Sequence, residues 1–154
     1  MSSPPFELAK AHRWFAIELN NRAWELIESP ARTADETAEM LSTAHASRYH
    51  WQQVGTPLNH LRGDALVATA YLAANKPELA LSFAQRSLVL CEQRGAEATS
   101  FDRACALGAV ACALFAMAQT DQARIYYQQA QAEVERFEHA DDKALFSKLY
   151  PAPS

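Results

Sequence analysis

The sequence predicts a single domain built only from helices, and three observations support this. The 154 residues include four glycines, and segments in which apolar and polar residues alternate with the period of a strand are almost absent. Signals that begin a helix recur along the whole chain. With 49% hydrophobic and 21% charged residues, the chain has the composition of a folded globular protein. Its length suffices to bury a core without disulfides or metal.

Each predicted helix begins at a residue that can cap it. Side chains of Ser, Thr, Asn and Asp accept hydrogen bonds from the free N–H groups of a first turn, and proline fits the first helical position because it has no N–H to leave unpaired. The predicted starts, in chain order, are Ser3 before Pro4 and Pro5, Thr33 with Glu36 in a capping box, Thr56 before Pro57, Asn75 with Pro77 and Glu78, Thr99 or Ser100, Thr120 before Asp121, and Asp141 or Asp142.

Each predicted helix ends where the chain disfavours its continuation or its apolar pattern stops. Glycine and proline are the strongest stops. The predicted ends are Ser29 before Pro30, Gly55, about Ala74, Gly95, the turn before Thr120, about His139, and Leu149. Short turns between six long helices predict three antiparallel hairpins at about 4–55, 56–95 and 99–139. A short terminal helix at about 141–149 and a loose tail follow.

Small and aromatic residues recur at a spacing of 43 positions in the second and third hairpins. This offset pairs Ala80 with Ala123 and Phe83 with Tyr126. A fainter copy lies 42 positions upstream, where Leu41 matches Phe83. A fixed period of this length predicts an array of similar helical units.

The recurring residues resemble the tetratricopeptide repeat. A short polar turn after Tyr71, then Ala80, Phe83 and Ser87, follows the order of residues in such a repeat. The second helix of the next unit repeats it with Ala123, Tyr126, Tyr127 and Ala130. The match covers about Leu58 to Glu138. The stretch "HASRYHW", with "GTPLN" and "RG" after it, resembles small bacterial proteins of this helical type to which no activity is assigned. The period exceeds the roughly 34 residues of the common repeat, and Leu114 and Ala84 depart from the usual residues.

The resemblance implies a right-handed stack of the three hairpins with a short capping helix. It also implies a groove, lined by the first helix of each hairpin, that receives a peptide or a partner's helix. The groove residues would be Asn20 and Trp24, then Arg62, Ala65 and Thr69, then Cys105, Gly108, Cys112 and Phe115.

The last part of this groove is apolar or small, so we expect something to cover it. Either the terminal helix, through Leu145, Phe146 and Leu149, or a second copy of the chain in a symmetric homodimer would do so. Arg62 is suited to gripping a carboxylate, although an ordinary surface ion pair explains it equally well. Glycine inside a helix costs about 1 kcal/mol, and close helix packing is the expected reason for Gly63 and Gly108.

The stretch from Ala44 to Gly63 contains three of the five histidines. His45 and His50 project about 140° apart on a helix, so they cannot hold one metal ion. The helical pattern places His45 on an apolar stripe, and folding the first hairpin brings Trp14 and Ile17 to the same interface. We expect a His45–Asn21 hydrogen bond that satisfies buried polar groups.

An alternative interpretation makes this region a functional site. A polar pocket at Asn21, His45, Tyr49 and His50 would bind a small molecule or perform acid–base chemistry, because histidine titrates near neutral pH. The sequence contains no G-x-S-x-G, no phosphate-binding glycine loop and no H-E-x-x-H. We therefore predict no catalytic residue, no metal and no cofactor.

Charge and cysteine content narrow the class of partner. A net charge of −4 leaves no broad basic surface for nucleic acid or an anionic membrane. The apolar run from Ala104 to Ala118 is shorter than the roughly 18–20 residues of a bilayer crossing. Three cysteines inside helical patterns fit buried thiols in a reducing compartment, and the first residues lack the pattern of a signal peptide. We expect a cytoplasmic protein that binds a protein or peptide; a regulatory module of a signalling protein is a further alternative.

Overall fold

The structure, a computed structural model, describes residues 2–94 and 97–154. These residues form seven helices and no strand, so the predicted all-α class is confirmed. The helices are α1 (Leu8–Glu28), α2 (Ala34–Val54), α3 (Pro57–Ala73), α4 (Pro77–Arg94), α5 (Ser100–Ala116), α6 (Thr120–Val134) and α7 (Ala140–Leu149). No helix of the described residues is both long and apolar enough to cross a membrane. The predicted stop at Gly95 lies outside the described residues.

Capping boxes begin three of the helices. Thr33 and Glu36 form the predicted box, and Thr56 and Thr99 cap α3 and α5 in the same way. The start predicted at Pro4 is wrong, because α1 begins at Leu8. A residue that precedes proline is disfavoured in helical conformation, and the paired prolines therefore delay the helix.

The turns after α3 and α5 have the same backbone geometry. Asn75 and Ala118 take left-handed conformations, with φ of 56° and 60°, as in the Schellman motif that ends many helices. The closing bonds run from the Lys76 N–H to the Tyr71 carbonyl and from the Gln119 N–H to the Leu114 carbonyl. Asn75 therefore ends α3 instead of capping α4, and Thr120 lies inside α6 instead of capping it.

Consecutive helices pack in pairs, α1 with α2, α3 with α4 and α5 with α6. Contacts within the first pair run antiparallel: His12 meets His50 near one end, and Arg22 meets Glu39 nearer the other. The first helices also touch in a row, since α3 contacts both α1 and α5. In this arrangement α3 and α5 have the most buried residues, and they lie side by side at the centre of the molecule.

Around Trp14 and Ile17 the first hairpin packs through small residues, whereas Leu26, Ile27 and Met40 fill its core nearer the turn between α1 and α2. Trp14 and Ile17 are 58% and 42% exposed, so their expected place in the interface is wrong. Ala16 and Ala23 are buried instead, and the Ser47 hydroxyl donates to the Ala16 carbonyl at 2.7 Å. Alanine lets two helix backbones approach closely, and Trp14 and Ile17 face outward from this part of the interface.

Two mid-helix glycines differ in the space around them. A Cβ atom at Gly63 would lie 3.5 Å from Arg48, an ordinary contact, whereas one at Gly108 would lie 3.0 Å from the rings of Phe146 and Tyr150. Close packing thus explains why glycine stands at position 108. At position 63 the neighbouring atoms leave room for a methyl group.

We expect Gly63→Ala to be more stable than the wild-type chain. For Gly108→Ala we expect overpacking to cancel this gain. Alanine stabilises a helix interior by about 1 kcal/mol relative to glycine, while overpacking a filled site costs about 1–3 kcal/mol. Urea unfolding followed by circular dichroism would compare the two variants. Equal gains would contradict the tight contact at Gly108.

Candidate binding site

The C-terminal segment covers the centre of the predicted groove. Phe146 of α7 and Tyr150, just after the helix, are completely or almost completely buried against Gly108. The Tyr150 and Thr69 hydroxyls lie 2.7 Å apart in a hydrogen bond, and burial raises the pKa of Tyr150 well above its usual value. Of the two expected covers, the terminal helix is the one seen within a single chain. The prediction of a loose tail from Tyr150 onward is wrong for Tyr150.

The predicted groove residues lie on one face of α1, α3 and α5, on either side of this segment. One opening, which we call the Trp24 cavity, has a volume of about 430 Å³. The predicted residues that line it are Asn20, Trp24, Arg62, Ala65 and Cys105. The other, the Cys112 cavity, has a volume of about 380 Å³ and contains Thr69, Cys112 and Phe115. All nine predicted groove residues therefore adjoin a cavity or the segment that separates the two.

Arg62 is held at the edge of the Trp24 cavity by Asp102. The Arg62 Nε and Nη2 atoms donate to the two Asp102 oxygens at 2.8 and 3.1 Å. The Arg62 side chain is 50% exposed and that of Asp102 only 5%. Of the two roles that the sequence allowed for Arg62, the ion pair is therefore formed. Within the described part of the chain, Arg62 Nη1 has no hydrogen-bond acceptor.

Asp102 both begins α5 and orients Arg62. Its carboxylate also accepts from the backbone N–H and the hydroxyl of Thr99. Burial acts to raise the pKa of Asp102, but the bonds from Arg62 and Thr99 outweigh it and lower that pKa below its usual value. The same pair raises the pKa of Arg62, chiefly through the hydrogen bond to Asp102. Both groups are therefore charged at neutral pH.

The structure does not bring the four residues of the alternative polar pocket together at one site. His45 Nε2 lies 2.8 Å from the Tyr71 hydroxyl of α3, whereas Asn21 is exposed and its Oδ1 accepts weakly from Asn20. The expected His45–Asn21 bond is wrong, because His45 points between α2 and α3. Burial, and then the charge of Arg48, lower the pKa of His45.

Tyr49 and His50 lie near the end of the first hairpin that contains the start of α1, where His50 meets His12. The Nδ1 atoms of His50 and His12 are 2.7 Å apart, and His50 also stacks on Phe15. Burial, and then the charge of His12, lower the pKa of His50. Tyr49 is 55% exposed. Neither cavity of the groove includes any of these four residues, and no three metal-binding side chains of the described residues come together.

A buried ion pair that sequence reasoning missed connects the first two hairpins. Asp64 of α3 is 3% exposed, and its Oδ1 accepts from Arg48 Nε of α2 at 2.5 Å. Arg86 of α4 lies 3.6 Å from the same oxygen. An acidic residue directly before the apolar run of residues 65–68 in α3 was the available signal. Tyr150 was missed because its position after the last helix suggested a tail.

The prediction of buried cysteines is confirmed for Cys91 and Cys105 but not for Cys112, which lines the Cys112 cavity. Cys91 and Cys105 are buried, Cys112 is half-buried, and all three are free thiols. Burial raises their pKa values, to about 11 for Cys91, about 12 for Cys105 and about 11 for Cys112. A thiol with so high a pKa carries little of the nucleophilic thiolate at neutral pH. They pack as small apolar groups.

Comparisons of the chain with protein-family models, with curated proteins and with solved structures find no match. The functional conclusion therefore depends on the geometry of the groove.

Proposed function

We propose that this protein is a right-handed, tetratricopeptide-like stack of helix hairpins that binds a protein or peptide in the groove of α1, α3 and α5. Three features support the stack: the pairing of consecutive helices, the row of contacts from α1 through α3 to α5, and two matching turns 43 positions apart. Three free thiols are consistent with a reducing, cytoplasmic location. The binding function is non-catalytic.

The Trp24 cavity is the observation that carries this proposal. It combines the aromatic side chains of Trp24 and Phe101 with the half-exposed guanidinium of Arg62. Burying a partner's Leu or Phe side chain in such a cavity contributes about 1.5–3 kcal/mol. Arg62 Nη1 can donate to a carbonyl or carboxylate of the same partner, because Asp102 already fixes the guanidinium plane. Specificity would come from this donor and affinity from the aromatic walls.

A catalytic role has weaker support because the groups able to move protons are engaged in protein contacts. His45 pairs with Tyr71, and Asp102 pairs with Arg62 and Thr99. These bonds fix helix positions. Among the described residues that line the Trp24 cavity, Asp102 pairs with Arg62, and Glu28 lies 3.5 Å from Lys148 in an ion pair.

Selection of peptides from a display library against the immobilised full chain tests the proposed function. We expect a selected peptide whose binding, measured by fluorescence anisotropy, weakens at least ten-fold in Trp24→Ala and in Arg62→Gln, the loss that about 1.4 kcal/mol produces. Trp14→Ala is the matched control, since Trp14 is exposed and lies outside the cavity. Peptides that respond equally to both tryptophan changes, or to neither, would contradict a site at the Trp24 cavity.

A further inference from the structure

Helix α7 covers the centre of the groove but fills little of it. Phe146 is the one fully buried residue among the ten of α7, and the Trp24 and Cys112 cavities stay open on either side. The contact is made by Phe146, Leu149 and Tyr150, which are spaced i, i+3 and i+4 on one face. A short bound helix makes contacts of this kind.

Few interactions other than these hold α7 in place. A ten-residue helix is shorter than the roughly 12–15 residues at which isolated helices become marginally stable. Its N-cap residue, His139, makes no side-chain capping bond. The ion pair between Lys148 and Glu28, 3.5 Å long, joins two exposed side chains and contributes little. The helical form of α7 therefore depends on its docking.

We propose that the surface around Gly108 binds a helix of a partner protein that carries Phe, Leu and Tyr at the same i, i+3 and i+4 spacing, and that α7 is its intramolecular competitor. This inference rests on the proposed function, because the partner would occupy the same groove. It adds the chemistry of the partner and a means of regulation.

The contacts of α7 define what the partner must supply. Gly108 has no side chain, and this lets the Phe146 and Tyr150 rings approach the backbone of α5 closely. The Thr69 hydroxyl pairs with the Tyr150 hydroxyl, which favours Tyr over Phe at the last position. Glu28 pairs with Lys148, so a basic residue two positions before the Tyr fits as well.

Competition by α7 would weaken binding of any partner. A tethered segment acts at an effective concentration in the millimolar range. The apparent dissociation constant of a partner rises in inverse proportion to the fraction of molecules whose groove is open. Weakening α7 should therefore strengthen binding in trans, the opposite of the usual effect of a destabilising substitution.

A labelled peptide with the sequence of residues 139–154 is the probe, and the full chain is the receptor. We expect the peptide to bind Phe146→Ala at least about ten-fold more tightly than the wild-type chain, because the open fraction increases. Tyr150→Phe, which keeps the ring and loses only the hydroxyl, should give a smaller increase and guards against misfolding of the first variant. A peptide carrying both Phe146→Ala and Tyr150→Ala should not bind. Adding Gly108→Val to the receptor should abolish binding by filling the surface.

Three outcomes would overturn the inference. The first is that the Phe146→Ala and Tyr150→Phe chains keep their helical circular dichroism but bind the peptide no better than wild type. That result would show that α7 is a permanent part of the core. Light scattering that shows a wild-type dimer with exchanged α7 segments would make a second copy the occupant. Library peptides that depend on Trp24 yet do not respond to Phe146→Ala would leave the proposed function intact and refute competition by α7. If weakening α7 strengthens binding of the peptide but no library peptide depends on Trp24, only the proposed binding site at the Trp24 cavity is refuted.

Discussion

Asp64→Ala is expected to lower the free energy of unfolding by about 3–5 kcal/mol, the usual cost of removing one partner from a buried ion pair. The Asp64 side chain is 3% exposed and that of Arg48 is 17% exposed, so the substitution leaves a largely buried guanidinium without its carboxylate. Arg48 also lies over the Phe83 ring, 5.2 Å from its centroid, and cannot turn to solvent without losing that contact. The loss should lower Tm by on the order of 10 °C for a chain of this length.

Glu39→Ala provides the matched control for this prediction. Glu39 also accepts from an arginine of a neighbouring helix, with Arg22 Nε at 2.6 Å, but both side chains are 43% exposed. Water can replace the lost partner there, so the change in stability should be far smaller. Chemical unfolding of the two variants decides the matter, and comparable losses would show that burial of Asp64 is not the cause.

Arg32→Ala is expected to cost about 3 kcal/mol, because hydrogen bonds to a charged group contribute about 1.5–3 kcal/mol each and the lost bonds are not additive. Arg32 Nη1 donates to the carbonyls of Leu26, Ile27 and Ser29, at the end of α1. Its Nη2 donates to the carbonyl of Ala73 at 3.0 Å. One side chain thus satisfies carbonyls at the ends of α1 and α3, which have no partner within their own helices.

Arg32→Lys separates charge from geometry in this interaction. A single ammonium cannot reach both helix ends in the way that a planar guanidinium does, so we expect lysine to restore less than half of the loss. Arg13→Ala, at an exposed position of α1, controls for the removal of a positive charge. Differential scanning calorimetry gives the comparison. Full rescue by lysine would show that the charge at the helix ends matters more than the bridge.

Much of the architecture follows from local signals in the sequence. The Thr33 and Glu36 capping box and the stop at Gly55 determine the limits of α2 through hydrogen bonds between near neighbours. Cues of this kind act within a few residues, so one sequence suffices to place them. The start of α1, which has no such cap, was predicted at Pro4, whereas the helix begins at Leu8.

The first hairpin shows where a sequence pattern is insufficient. An apolar stripe can be assigned from aromatic residues or from alanines, and α1 contains both. Trp14 and Ile17 are the more hydrophobic residues, yet Ala16 and Ala23 are buried, because the interface depends on how closely α2 can approach. The same error led to the prediction that Asn21 lies next to His45. His45 instead contacts Tyr71 of α3.

The sequence by itself determined seven helices and three of their N-caps, because those features depend on spacing along the chain. The groove residues came from the resemblance to the tetratricopeptide repeat. Only the tertiary structure decided that Tyr150 lies in the core, that Asp64 meets Arg48 and that Arg62 is held by Asp102. These pairs join residues 16 to 81 positions apart. Their partners are chosen by the packing of whole helices, and no local pattern encodes that choice.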